Sequence, residues 1–359
     1  MKNDGKKKQR QVDFIFACTI LGLLVLIIIC LFVTMFQHAS QSKTASSSTS
    51  KSTQVSTKSS STKTKTSTKT KSKADKETDL QADLAEMDSL GLYYDYANLS
   101  LEETVKAYMA EFGLAEDSVA FSYKDLTTGK TASMNDTQPM TAGSTYKLPL
   151  NMLVVDEVAK GKLSLTEAFD ITNTTYEYIG EHNSYVSAFD GAMTIPQMQK
   201  FSLVYSENTP AYALSERLGG MEKAYAKFGR YGKSKGKIKT IQQEGNKTTT
   251  DYYIQVLDYL YTHRKKYKDL LYYLKVAFPG EYYHGLIGDN LTVAQKPGYV
   301  REALNVGAVV YEEKPYIIAL YTKGLGGATE ESTEINGVGY YQLTQLCYVI
   351  NEWHRVNMN

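Results

Sequence analysis

The chain has 359 residues, and its 40 lysines and arginines nearly cancel its 39 aspartates and glutamates, leaving a formal charge of +1. A dedicated nucleic-acid binder carries a strong basic excess, so this balance argues against that class of partner. Cys18, Cys30 and Cys347 cannot build a disulfide framework, because the first two lie in an apolar run and the third stands alone. The histidines are scattered without HExxH or related spacing, so neither a metal site nor a cofactor is expected.

Residues 1–13 are a basic tail containing Lys2, Lys6, Lys7, Lys8 and Arg10. Residues 14–36, FIFACTILGLLVLIIICLFVTMF, are apolar and uncharged, long enough to cross a bilayer as a helix. The basic tail places the N-terminus in the cytoplasm and the remainder outside, as a single-pass cell-membrane protein. A cleaved signal peptide is the rival reading, but the run is long for one and no A-x-A-like site follows. A lipoprotein site also fits poorly, since Ile29 stands before Cys30 where a small residue is wanted.

Residues 37–89 read as a linker. Its stretch 40–76 is almost only Ser, Thr and Lys, which has nothing to bury and is expected to be disordered. It is a spacer whose lysines can meet anionic cell-wall polymers. ADLAEMDSL, near the linker's end, suggests a short helix. The folded part is expected over 90–359, about 270 residues, the size of one two-layered α/β domain.

Ser100 and Glu103 form an S-x-x-E capping box, and Val105, Tyr108, Met109 and Phe112 then recur at helical spacing. Val119, Phe121 and Tyr123 alternate before the turn DLTTGK and a second short strand, a hairpin pattern. Helical patterns follow in LNMLVVDEVAKG, in 195–205 with Thr194 as N-cap, in AYALSERL after Pro210, and in TTTDYYIQVLDYLYTH. LNVGAVVY and PYIIALYTKG read as strands, and GYYQLTQLCYVINEWHR as a last helix. Strands at both chain ends, with helices between them, predict an antiparallel sheet made by both ends around an inserted helical block.

TAGSTYKLPL holds Ser144 and, one helical turn on, Lys147. A serine hydroxyl needs an adjacent base, and a desolvated lysine can be one. The same spacing occurs in the linker at Ser48/Lys51 and Ser60/Lys63, so S-x-x-K alone does not separate a nucleophile from a capping serine. Two further motifs do: YSENTP with Ser206 and Asn208, and QKPGY with Lys296, Pro297 and Gly298.

The order S-x-x-K, S-x-N, K-x-G resembles the signature set of class A β-lactamases and penicillin-binding proteins. The likeness extends over roughly residues 100–355, through FSYKDLTTGKTASMN, DEVAKGKLSL and SENTPAYALSERLGG. It implies the α/β (α+β) serine β-lactamase fold and a serine hydrolase acylated by β-lactams or D-alanyl peptides of peptidoglycan. By the resemblance, Ser144 is the nucleophile, Lys147 its proton acceptor and Ser206 the proton shuttle to the leaving nitrogen. Asn208 binds the substrate amide, Lys296 holds a substrate carboxylate, and Gly298 belongs to the same substrate-binding K-x-G motif, just before the strand-rich end. The backbone N–H groups of Ser144 and Tyr299 form the oxyanion hole. Tyr185, in GEHNSYV, is a candidate cleft residue or an ordinary core or surface tyrosine.

Three departures follow. Pro297 replaces the family's Thr or Ser, offering neither hydroxyl nor N–H, so β-lactam binding is expected to weaken. No arginine occupies the following strand LNVGAVV, leaving Arg301 in a nearby loop as the candidate substitute. The water-activating Ω-loop should precede TTTD, but KSKGKIKTIQQEGNK lacks E-x-x-L-N, and its one acidic residue is Glu244. Glu244 is the candidate to reach the acyl-enzyme, or else a solvated loop acid; the resemblance still makes β-lactam hydrolysis the leading activity, with efficient turnover in doubt. A D-alanyl-D-alanine carboxypeptidase-like protein with slow deacylation, or a cell-wall-binding sensor without turnover, remains the alternative.

Overall fold

The structure is a computed structural model of the chain and describes residues 72–175, 178–288, 290–300, 302–326 and 334–358. The proposed membrane span 14–36, the linker as far as residue 71, and Arg301 lie outside the described residues. Among the described residues no helix is long and apolar enough to cross a membrane.

The first helix, α1 (Lys73–Leu90), corrects the expected linker boundary at 89. Ser72 and Asp75 close a capping box at its start, and Gly91, in the left-handed region, stops it. The short helix suggested by ADLAEMDSL is its second half; the first half, KADKETDLQ, has little apolar pattern to read. Leu80, Leu84 and Met87 nonetheless pack into the same core as the last helix, α10 (Gly337–Asn357). The second helix, α2 (Leu101–Glu111), carries the predicted Ser100/Glu103 capping box and packs on α10 too.

A five-stranded antiparallel sheet has the order β2-β1-β9-β8-β7. The N-terminal hairpin β1 (Val119–Asp125) and β2 (Thr131–Met134) joins three C-terminal strands, β7 (Val293–Val300), β8 (Ala303–Val310) and β9 (Tyr316–Thr322). The closure between chain ends is the β1–β9 pairing, Val119↔Thr322 through Asp125↔Tyr316. Every residue of β8 and β9 is buried, and alternate side chains serve opposite faces. Ile318 and Leu320 pack toward the terminal helices, whereas Ile317, Ala319 and Tyr321 pack toward the helical block.

Between β2 and β7 lies the inserted block. Its parts are β3 (Met140–Thr141), a 3-10 turn (Gly143–Tyr146), α3 (Lys147–Ala159), β4 (Ala168–Asp170), α4 (Ile179–Ala188), β5 (Ala192–Thr194), α5 (Ile195–Val204), α6 (Asn208–Arg217), α7 (Met221–Tyr225), β6 (Lys247–Thr248), α8 (Thr250–Thr262) and α9 (Lys268–Lys275). Helix α8 packs on β1, β8 and β9, carrying the block on one sheet face. Three of these helices, α4, α7 and α9, were not read from the sequence. Helix α4 buries no side chain fully, with only Tyr185 and Val186 half-buried against the core, so its apolar stripe is weak. Helix α6 begins at Asn208, two residues before Pro210, with proline inside the first turn where its missing N–H costs nothing.

Helix α3, which follows the turn carrying Ser144, is fixed at its far end by a buried carboxylate. Asp156 accepts from Arg230 Nη1 (2.6 Å), Tyr231 OH (3.0 Å), Tyr267 OH (2.8 Å) and Lys266 Nζ. Burial pushes this carboxyl up, but the four donors outweigh burial and hold it below its usual value. Its stabilising contribution is therefore complete above the unfolded carboxylate pKa and is lost as pH falls through the folded value. Asp156→Asn should destabilise the protein by about 2 kcal/mol at pH 7, a figure discounted because Arg230 and Lys266 are 34% and 38% exposed. Urea denaturation from pH 7 to pH 3 checks this: the gap between wild type and variant should close below about pH 4.

Candidate active site

Ser144 occupies the 3-10 turn that runs directly into α3, so the predicted first helical turn is wound more tightly than an α-helix. Gly143 enters the turn at φ +56°, and a Cβ there would lie 2.9 Å from Gly298 C and Tyr299 N. A Cβ on Gly298 would lie 2.5 Å from the Ala142 carbonyl oxygen. The two glycines let β7 run in contact with the turn, and Ser144 and Tyr299 both line the cleft beside it. Around this contact the turn is braced. Tyr253 OH donates to the Thr145 carbonyl (3.1 Å), Tyr321 OH bonds Thr145 Oγ1 (2.7 Å), and Asn305 Nδ2 donates to the Thr141 carbonyl (2.7 Å).

Lys296, Pro297 and Gly298 lie within β7, not before the strands as the sequence suggested. The strand is the sheet edge, the place where a residue without an N–H is tolerated. Pro297 stands opposite Val306 and Gly298 opposite Asn305, so no arginine faces this part of β7 from β8.

The other motif pivots on Ser206, whose φ of +60° puts a non-glycine residue in the left-handed region. That conformation aims its carbonyl at Lys147 Nζ while Lys296 Nζ donates to its Oγ at 2.8 Å. Lys147 Nζ also donates to Asn208 Oδ1 (2.7 Å) and reaches Ser206 Oγ at 3.5 Å. Both lysines are 0% exposed. Burial pushes the Lys147 ammonium down to about 7, against smaller upward pulls from Glu181 and Glu207. Burial, and then the neighbouring Lys147, hold Lys296 well below the usual lysine range.

Ser144, Asn208 and Tyr299 open on a cleft of ≈ 640 Å³. Gln243, Gly245, Asn246 and Lys247 form a second wall, brought there because β3 pairs with β6 and the Ala142 N–H donates to the Asn246 carbonyl. Glu244 is not among the lining residues. It lies exposed in the short turn Glu244–Asn246, between the lining residues Gln243 and Gly245. Tyr185 is not a lining residue either; it packs on Phe189 and Phe201, while Tyr178 takes the rim. Among the described residues no group of His, Cys, Asp and Glu could hold a metal ion.

Two carboxylates near Lys147 were missed by sequence reasoning. Glu181, on α4, accepts the backbone N–H of Asn208 (2.8 Å) and of Thr209 (2.6 Å), capping α6 from outside. Glu207 is held above its usual range by burial and then by the charge of Glu181, to which it hydrogen-bonds. Glu207 was visible inside S-E-N, but the partners of Glu181 lie 27 and 28 residues away with no local signal.

A model of the beta-lactamase enzyme family matches residues 100–341. Solved structures share the fold at low identity. An ancestral class A β-lactamase has a TM-score of 0.59 at 16% identity, covering 70% of this chain and 99% of its own. A β-lactamase from Xanthomonas campestris pv. campestris has a TM-score of 0.58 at 17% identity, covering 70% and 97%. A PBP-A variant, solved as its penicillin G acyl-enzyme, has a TM-score of 0.58 at 15% identity, covering 70% and 94%. No curated protein matches this sequence. The fold is that of class A β-lactamase-like serine hydrolases, and the chain belongs to the beta-lactamase enzyme family.

Glu181 tests the electrostatics of the site independently of any substrate. Glu181→Gln keeps an acceptor for the α6 cap but removes a negative charge that pulls the Lys147 pKa upward. NMR titration of the lysine side-chain signals should show Lys147 falling below about 7. An unchanged or raised value contradicts the assignment. Glu181→Ala should in addition cost about 1 kcal/mol of stability through the lost cap.

Proposed function

We propose that the protein is a serine acyl-enzyme hydrolase of β-lactams or D-alanyl peptides that acylates on Ser144 and releases the acyl group slowly. The observation that carries this reading is Lys147: wholly buried, one turn from Ser144, and bonded to both polar residues of the S-x-N motif. With its pKa near 7, a substantial fraction is neutral at physiological pH and able to accept a proton.

Ser144 Oγ attacks the substrate carbonyl carbon, and its proton passes to neutral Lys147 as the C–O bond forms. The resulting oxyanion lies between the N–H groups of Ser144 and Tyr299. The C–N bond then breaks, and the leaving nitrogen takes a proton from Ser206 Oγ, which Lys147 replenishes. Lys296, 2.8 Å from Ser206 Oγ, favours proton donation there, and a substrate carboxylate arriving beside it raises its protonated fraction.

Slow release rests on the second cleft wall. Hydrolysis of the ester needs an activated water. The wall from 243 to 247 contributes two amides, backbone and a lysine, while its carboxylate, Glu244, is exposed outside the lining. The absence of a hydroxyl at Pro297 supports weaker carboxylate binding and slower acylation than in an efficient β-lactamase. The apolar run 14–36 behind a basic tail supports display of this domain outside the cell membrane, on a Ser/Thr/Lys-rich tether.

Intact-mass measurement after incubation with a fluorescent penicillin should reveal a persistent single adduct that Ser144→Ala abolishes. The acylation rate should rise with pH through about 7 as Lys147 deprotonates. A serine-independent adduct, or no adduct at all, overturns the acylation reading. Rapid loss of the adduct with hydrolysed product overturns slow release.

A further inference from the structure

We infer that Lys247 is a specificity residue that recognises an anionic group on the acyl portion of the substrate. This rests on the acylation of Ser144 proposed above and deepens it.

In the reaction proposed above, the leaving group meets Ser206 and Lys296, whose hydroxyl and ammonium are in contact. The acyl portion, held at Ser144, extends away from them, along the wall formed by residues 243–247 and facing Val300 and Glu302. Among the described residues of that lining, Lys247 and Glu302 are the charged ones.

Lys247 is fixed there from both ends. Its backbone pairs with Thr141 in the β3–β6 ladder, and its carbonyl accepts the N–H of Gln242 at 2.8 Å. Its Nζ donates to Thr141 Oγ1 at 2.7 Å, and Thr141 is in turn held by Asn305. An ammonium has three donors, and this hydroxyl uses one of them. Lys247 forms no salt bridge among the described residues, unlike Lys266, which is committed to Asp156. The result is a positioned cation with two donors left for a ligand, held on Thr141, three residues before Ser144 in the chain, and lining the same cleft as Ser144. A carboxylate satisfies both charge and donors, giving a charge-assisted contact. Glu302, on the facing wall, disfavours a second anion and suits a side chain that also carries an amine.

The test uses two penicillins with six-carbon acyl side chains, one ending in a carboxylate (adipoyl) and the other in a methyl (hexanoyl). Their ring carboxylates are identical, so the ratio of their second-order acylation rates isolates the distal group. In the wild-type protein the ratio should favour the carboxylate by about fivefold, the size of a partly exposed charge pair, and more at low salt. Lys247→Gln should reduce the ratio to about one, Lys247→Arg should retain it, and Glu302→Gln should increase it. Equal ratios in wild type and Lys247→Gln, with Ser144 acylated by both compounds, overturn this inference alone. Failure of both compounds to acylate the wild-type protein overturns the acylation reading and this inference with it.

Discussion

The site is organised around one costly act, the complete burial of the Lys147 ammonium. A charge removed from water must be met by fixed dipoles or partly discharged. Here both happen. The Ser206 carbonyl and Asn208 amide oxygen accept from it, and its pKa drops to about 7. Much of the surrounding structure reads as a means of holding those acceptors still. Ser206 adopts a left-handed backbone to offer its carbonyl, and Glu181 caps the helix that carries Asn208. Glu181 and Glu207 keep the lysine from being driven still lower.

A second buried lysine makes the first more useful. Lys296 reaches the same Ser206 hydroxyl from the sheet edge, so one hydroxyl is poised between two amines whose charges oppose each other. That arrangement suits a proton relay, in which either amine can give or take a proton at modest cost. It depends on β7 lying against the nucleophile turn, which Gly143 and Gly298 permit. The sheet places β7, and the sheet closes only because strands from the two chain ends pair.

In the proposed reading, the departures from the family pattern fall on substrate capture and acyl release, while Ser144, Lys147, Ser206 and Asn208 keep the motif residues. Pro297 removes a hydroxyl from the strand that meets the substrate carboxylate. The start of β6 offers Lys247 to the cleft where the family resemblance would lead one to expect a hydrolytic carboxylate. A positive wall in place of a negative one changes both what the cleft attracts and how readily a water beside the ester is activated.

The linear sequence carried what depends on spacing and period: the capping box at Ser100, the hairpin, the buried strands β8 and β9, and the three motifs whose order pointed to one fold. Each is written in residues close together, or in a pattern that burial imposes on a strand or helix. Where signals were weak the reading faltered. The first half of helix α1 has little apolar pattern, α4 buries no side chain fully, and the break at Pro297 hid the edge strand containing it. Tertiary structure alone decided which carboxylates matter. Glu244 looked eligible because it was the acid in the right loop, yet it is exposed; Glu181 carried no mark, yet it holds the start of α6. Local sequence records the conformation a segment prefers, whereas the depression of a lysine's pKa is a sum over charges and water exclusion from segments far apart in the chain, and only the folded packing sets those distances.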